Sequence, residues 1–129
     1  MKLIIGGCHQ GKKAYAENAY QIRENEWADG ANCSAEELLQ AKGIFDFQEW
    51  VRIQLIQNGK EKKIQEIADA FCKAYPDLIV VSNEVGYGIV PMQKEERMWR
   101  EACGRACTVL AQHSEEVIRV CCGIGMKIK

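Results

Sequence analysis

Met1-Lys2-Leu3-Ile4-Ile5-Gly6-Gly7-Cys8-His9-Gln10-Gly11-Lys12 is the stretch that decides the fold. Residues 2–5 are apolar and read as a short buried strand. Gly6 to Gly11 is a glycine-rich loop. From Lys12 to about Glu24, residues such as Ala14, Ala16, Glu17, Ala19, Gln21 and Arg23 favour helix. The segment satisfies G-x-x-x-x-G-K with a strand before it and a helix after it. Each part has a chemical reason. Glycines let the backbone curl so that successive N–H groups face one anion, and the helix N-terminus adds partial positive charge. The lysine then reaches outer phosphates. Gly6, Gly7, Cys8, His9, Gln10, Gly11, Lys12 and Lys13 are therefore the candidate phosphate- or nucleotide-binding residues. The competing reading is a purely structural glycine turn.

One position departs from the pattern. A Ser or Thr is called for after the lysine, and Lys13 stands there. The missing hydroxyl normally ligates Mg²⁺, and an ammonium has no lone pair to offer. A unit charge facing a divalent ion at ~4 Å costs about 8 kcal/mol at an effective dielectric of ~20. Lys13 either turns away or replaces part of the metal's neutralising charge. Both alternatives predict weak or altered Mg²⁺ dependence.

Outward from the loop, strands and helices alternate. A short strand is expected around Glu26 to Ala28, and Asp29-Gly30 is a turn signal. Ser34 followed three residues later by Glu37 fits a capping box; the helix it starts would end by Gly43. Gly43-Ile44-Phe45-Asp46 is a brief apolar stretch ending in a carboxylate. Residues 47–57 carry helical spacing in Trp50, Val51, Ile53, Leu55 and Ile56, with a break at Asn58-Gly59. Residues 60–74 form a further helix with Ile64, Ile67, Ala68 and Phe71 as its stripe. Residues 77–82 contain the clearest strand, a continuous apolar run suited to a sheet covered on both faces. Gly86, Gly88 and Pro91 mark a loop, residues 93–112 a long helix, and residues 117–121 a last strand. The class is α/β: one domain over residues 1–129, with a mostly parallel sheet and helices on both faces.

Composition narrows the function classes. The 129 residues are 47% hydrophobic and 27% charged, an ordinary globular balance. Lys+Arg 17 against Asp+Glu 18 leaves a net charge of -1, so the basic footprint of a nucleic-acid binder is missing. No apolar run approaches the ~18 residues of a membrane span. The N-terminal apolar piece is too short for a secretory signal. With 7 cysteines, an odd number, and no CxxC, the expectation is a cytoplasmic chain with free, mostly buried thiols. Cys103 and Cys107, four apart, share a helix face; they read as small core residues in preference to a metal pair. Cys121 and Cys122 would point to opposite faces of a strand. Trp27, Trp50 and Trp99 read as core or interface aromatics.

Val81-Ser82-Asn83-Glu84-Val85-Gly86-Tyr87-Gly88-Ile89-Val90-Pro91 is a second signature. With the Gly6-Gly7 loop it resembles the adenosylcobinamide kinase / adenosylcobinamide-phosphate guanylyltransferase family of cobalamin biosynthesis. A following helix with Arg97, Trp99, Arg100, Glu101 and Gly104 strengthens the resemblance, as do Val120, Gly123 and Lys127 near the end. Residues 78–129 carry most of it, residues 1–23 carry part, and Gly43–Asp46 with Trp50 matches loosely. The resemblance implies a P-loop NTPase-like fold, assembly as a homo-oligomer and use of ATP or GTP. It also implies a corrinoid acceptor, phosphorylated on a side-chain hydroxyl and then guanylylated through a histidine. Here the family's His/Arg-rich segment corresponds to Asn25 to Lys42, which contains neither residue. The implied chemistry is thus phosphotransfer without the histidine-mediated step. The alternative is a non-catalytic nucleotide- or anion-binding oligomeric module.

Roles follow from charge. Lys12 and the loop amides would hold the β- and γ-phosphates. Asp46 either holds Mg²⁺, directly or through water, or caps the following helix. Glu84 lies past the strongest strand, where open α/β sheets bind ligands. It either takes up the acceptor hydroxyl's proton or pairs with an arginine such as Arg97. Lys12 and Glu84 are the candidate catalytic residues. Arg97 and Arg100 lie three apart on one helix face, where they meet a phosphate or a neighbouring carboxylate, or remain solvated. His9 sits where it could meet phosphorus, but hydrogen bonding to the backbone is the simpler role. His113 closes a long helix, where the dipole favours a cation.

Overall fold

A computed structural model describes residues 1–58, 63–85 and 93–129. The expected helix start at residues 60–62 and the loop with Gly86, Gly88 and Pro91 lie outside the described residues. Most of the second signature's glycine-rich part lies there too. The elements are β1 (Lys2–Gly6), α1 (Lys12–Tyr20), β2 (Trp27–Asp29), α2 (Ala35–Gln40), β3 (Gly43–Phe45) and α3 (Phe47–Asn58). They continue with α4 (Ile64–Ala74), β4 (Ile79–Asn83), α5 (Lys94–His113), β5 (Glu116–Cys121) and β6 (Ile124–Lys127).

The strands form one sheet in the order β2-β3-β4-β1-β5-β6. β1 to β5 are parallel, and β6 returns antiparallel along β5. This is the α/β architecture read from the alternation. β1 is central: Leu3 aligns with Val80 on one side and with Val117 on the other. Its alternating side chains feed two cores. Leu3 packs with Ile44, Val80 and Val117 beneath α3, α4 and α5. Ile4 packs with Ala16 and Ile22 beneath α1, beside Val81, Ile118 and Val120. Helices therefore cover both faces.

Local signals account for several boundaries. Ser34 Oγ accepts the Glu37 N–H at 3.1 Å, and Glu37 Oε2 accepts the Ser34 N–H at 2.7 Å, so the capping box forms. α1 stops at Tyr20, before the expected Glu24. Gln21 adopts a left-handed φ of 55°, and its N–H closes on the Glu17 carbonyl. The turn delivers Ile22 into the core, where it is buried. An apolar side chain two residues before the expected end thus overrides helix propensity.

The end of the chain differs from expectation. β5 is followed by a two-residue turn in which Cys122 (φ 50°) and Gly123 (φ 76°) are both left-handed. Two such residues in succession suit the right-handed twist of a tight hairpin. Cys122 is therefore a turn residue, so the condition for an opposite-face pair, both cysteines on a strand, is not met. Gly125 on β6 lies under the ring of Tyr15 from α1, with no room for a side chain.

Gly6 marks the tightest backbone approach in the centre of the sheet. A Cβ there would fall well inside contact distance of the Val120 carbonyl oxygen on β5. Overpacking of this kind costs about 1–3 kcal/mol. Gly6→Ala should therefore lower the unfolding free energy by that amount, read as a lower urea midpoint with the m-value unchanged; an unmoved midpoint would contradict the close approach. The thiols give a second check. Cys8, Cys121 and Cys122 are exposed, whereas Cys72 and Cys103 are buried. Burial pushes the Cys72 thiol up to about 11 and that of Cys103 up to about 12. Titration with a chromogenic disulfide at pH 8 should label the exposed three promptly and Cys72 and Cys103 only after unfolding.

Candidate functional site

The carboxyl ends of β1, β3 and β4 are adjacent in the sheet and bring three segments to one edge. Gly6 aligns with Asn83, and the Glu84 N–H donates to the Gly6 carbonyl at 2.9 Å. The glycine loop thus begins beside the residue that follows β4.

The loop has the backbone that its glycines allow. His9 (φ 56°) and Gly11 (φ 84°) are left-handed, and the Gly11 carbonyl accepts the Tyr15 N–H at 2.9 Å to start α1. The C-terminal hairpin braces the outside of the loop. Gln10 accepts twice from its turn: the carbonyl from Gly123 N–H at 2.8 Å and Oε1 from Cys122 N–H at 2.7 Å. A Cβ on Gly11 would lie 3.3 Å from Gly123 Cα, so the two glycines pack back to back. Cys8 and His9 are exposed on the crest. Among the described residues the His9 ring makes no hydrogen bond, so the expected bond to the backbone is not formed.

Lys12 is only 7% exposed, and its Nζ donates to the Gly7 carbonyl at 2.6 Å. The ammonium is therefore folded into the loop. Burial pushes its pKa below the ordinary lysine value, while charge on Cys8, Asp46 and Glu84 pulls the other way. Lys13 resolves the fork posed by the sequence by turning aside. Its Nζ lies 2.8 Å from Glu24 Oε1 and 3.8 Å from Glu17 Oε1, and 4.7 Å above the Phe45 ring. The ammonium is thereby neutralised by two carboxylates of its own neighbourhood.

Asp46 follows β3 in a left-handed conformation, φ 51°. Gly30 makes this possible, because a Cβ there would collide with the Asp46 carbonyl. The Glu49 N–H of α3 is taken by the Asp46 carbonyl, leaving the carboxylate for other work. That carboxylate accepts from Gln48 Nε2 at 3.0 Å. Gln48 is 4% exposed, and its own Oε1 accepts the Asn83 N–H at 3.0 Å. A buried amide with both ends satisfied ties β3 to β4. Sequence reasoning passed over Gln48, which looks like one more polar residue in an amphipathic helix.

Glu84 is paired, but with a different arginine from the one expected. Arg119 on β5 lies with Nε 3.1 Å from Oε1, and its terminal nitrogen donates to Oε2 at 3.2 Å. The fork-to-carboxylate geometry fixes the Glu84 plane. Arg119 was missed because its only sequence signal is a charge inside an apolar strand, facing out beside β1.

The other singled-out residues lie apart from this edge or support it. The thiol of Cys103 approaches the Gln48 carbonyl at 3.8 Å, and that of Cys107 the Ser82 hydroxyl at 3.9 Å. These are packing roles. His113 lies 2.9 Å from Asp69, at the opposite end of the sheet, where Glu115 pairs with Met1. Trp50 stacks on Phe47, and Trp99 donates to the Gln48 carbonyl at 2.7 Å. Among the described residues no group of three or more His, Cys, Asp or Glu converges as a metal cage. No helix among them is long and apolar enough to cross a membrane.

The site residues fit a phosphate chain: a side-chain-free turn at Gly6, a left-handed Gly11 and one buried ammonium. They fit a divalent ion more sparely, with Asp46 as the carboxylate facing Lys12's side of the edge. That suits Mg²⁺, which keeps most of its waters and takes few protein ligands.

Comparison with known proteins bears on the same edge. The family described as cobinamide kinase / cobinamide phosphate guanyltransferase matches residues 33–128, leaving the glycine loop outside the matched span. The bifunctional adenosylcobalamin biosynthesis protein CobU of Escherichia coli K12 is 37% identical over 87 residues. That stretch is 67% of this chain and 48% of the relative. The CobU protein of Salmonella typhimurium is 43% identical over 65 residues, 50% of this chain and 36% of that one. The chain matches half or less of each curated relative's length. With three quarters of its residues inside the matched span, among them Asp46, Gln48, Glu84 and Arg119, the chain belongs to the cobinamide kinase / cobinamide phosphate guanyltransferase family.

Proposed function

We propose that the chain binds a nucleoside triphosphate, ATP or GTP, in the Gly6–Lys12 loop and transfers its γ-phosphoryl group to a hydroxyl of a corrinoid. One observation carries this reading: a buried Lys12 ammonium, held at the Gly7 carbonyl, with Asp46 and Glu84 close enough to influence its charge. A lysine so placed can exchange the carbonyl for a phosphate oxygen without crossing solvent. The family's printed description supports the kinase half and a cobinamide acceptor.

In this reading Lys12 and the loop N–H groups spread the charge of the β- and γ-phosphates, which is most of what phosphoryl transfer asks of a protein. The acceptor oxygen forms a bond to γ-phosphorus, the bond to the β-phosphate oxygen breaks, and the hydroxyl proton passes to Glu84. Arg119 holds the Glu84 carboxylate in a fixed plane for that role. Mg²⁺, when bound, neutralises charge on the phosphates, and Asp46 is the residue that would hold it. Lys13 neither ligates nor opposes it, being engaged by Glu24, so the Mg²⁺ dependence is weaker or altered relative to the pattern with a hydroxyl there.

The guanylyl step of the family is left out of this reading, and the placing of the histidines supports that. Residues 25–42 contain none, and His113 is bound to Asp69 far from the loop. A cytoplasmic setting and assembly from several copies complete the proposal. The latter is supported by β6, an edge strand with Ile124 and Met126 exposed, and by the exposed Ile128 just past it.

Thermal shift with millimolar ATP or GTP should raise the melting temperature of the wild type, and Lys12→Ala should abolish the rise. An unchanged rise would place the site elsewhere, and no rise in the wild type would refute triphosphate binding. Incubation with labelled GTP should leave no acid-labile adduct on the protein. A stoichiometric adduct at His9 would restore the guanylyl step to the chain.

A further inference from the structure

Four groups meet at the Gln48 residue. Its Nε2 donates to Asp46 Oδ1 at 3.0 Å, and its Oε1 accepts from the Asn83 backbone at 3.0 Å. Its main-chain carbonyl takes the Trp99 indole N–H at 2.7 Å and the Cys103 thiol at 3.8 Å. The carbonyl bonds are additional to its place in the first turn of α3. Arg52, one turn on, lies 4.1 Å from the Trp99 ring centre and pairs with Glu96, which closes the α3–α5 contact above it. Among the described residues, Gln48 is also one of few buried polar side chains, with Lys12, Ser82 and Ser114.

An amide in such a place has a definite orientation. Asn83 offers a donor, so the oxygen must face β4 and the NH₂ must face Asp46. The donor therefore fixes one carboxylate oxygen of Asp46 and leaves the other, Oδ2, for a different partner. The left-handed backbone at Asp46, packed on Gly30, fixes the point from which that side chain starts. Because Lys13 supplies no hydroxyl, a cation on this side of the loop would depend, among the described residues, on how the Asp46 carboxylate is oriented.

We propose that Gln48 is the positioning residue that sets Asp46 toward a phosphate-bound divalent cation and locks it to the end of β4. This rests on the triphosphate reading given above. Gln48 touches neither cation nor nucleotide; it acts through Asp46, with Trp99 and Cys103 holding its main chain in place. The role explains why a polar side chain occupies a buried position facing the sheet at the start of α3.

The test is a binding comparison on the whole chain with a fluorescent ATP analogue, in EDTA and in 5 mM Mg²⁺. The concentration is about what saturates nucleotide with the ion, on the order of millimolar. The wild type should bind more tightly with Mg²⁺. Gln48→Met should abolish most of that gain, raising Kd about tenfold in Mg²⁺ and by less than about twofold in EDTA. Asp46→Asn should do the same, and the double variant should be no worse than either single one, since two residues acting as one unit are non-additive. Should Gln48→Met not fold, Gln48→Asn serves in the same cycle: it keeps the amide but withdraws it by one methylene from Asp46. Equal weakening in both media, or a Gln48 effect that persists in the Asp46→Asn background, overturns the positioning role while leaving triphosphate binding intact. A wild type that binds the analogue with no gain from Mg²⁺ also overturns it. A wild type that binds no analogue in either medium refutes the functional reading, and this inference with it.

Discussion

No side chain fits at Gly6. The last residue of β1 is pressed against the Val120 carbonyl of β5 on one side and accepts the Glu84 N–H on the other. That three-strand approach fixes where the loop leaves the sheet. Everything at the candidate site is measured from there: Lys12 folds back toward Gly7, Glu84 starts one residue past the ladder, and Arg119 reaches it from the opposite neighbour. A bulkier residue would force β5 outward, displacing Arg119 and the hairpin together. Close backbone packing, rather than any single ion pair, is thus the constraint on which the electrostatics rests.

Charge at this edge is nearly balanced within a small space. Lys12 is answered by Asp46 and Glu84, and Glu84 in turn by Arg119. The Lys13 cation is removed from the balance by Glu24 and Glu17. An incoming polyanion would meet amides and one ammonium rather than a broad basic surface. That arrangement agrees with the chain's overall charge of -1. On the proposed reading, selectivity for phosphate would come from the curled backbone, which is geometric, more than from long-range attraction.

Much of this was legible because its causes are local. The β1–loop–α1 unit, the Ser34–Glu37 box and the apolar run into β4 each contain their own signal within a few residues. The carboxylate at the end of β3 was legible too, since an apolar run ending in Asp46 marks a strand's carboxyl edge. Whether Asp46 caps α3 or faces the site was not legible. It depends on a left-handed backbone that only the absence of a side chain at Gly30 permits. Gln48 and Arg119 were opaque for the same reason: their partners, Asn83 and Glu84, are 35 residues away. β6 was missed because its turn uses Cys122-Gly123, where Asn-Gly would have announced a hairpin.

The hydrogen bond between Gln10 and Cys122 spans 112 positions of chain. During synthesis at ~5–20 residues per second, that separation is an interval of roughly 6–20 s. A nascent β1–α1 unit spends it with its turn unsupported on the outer side. The braced loop is therefore a late product of folding, completed only when the hairpin arrives, and a ribosome-bound fragment would carry the glycine motif without its finished shape.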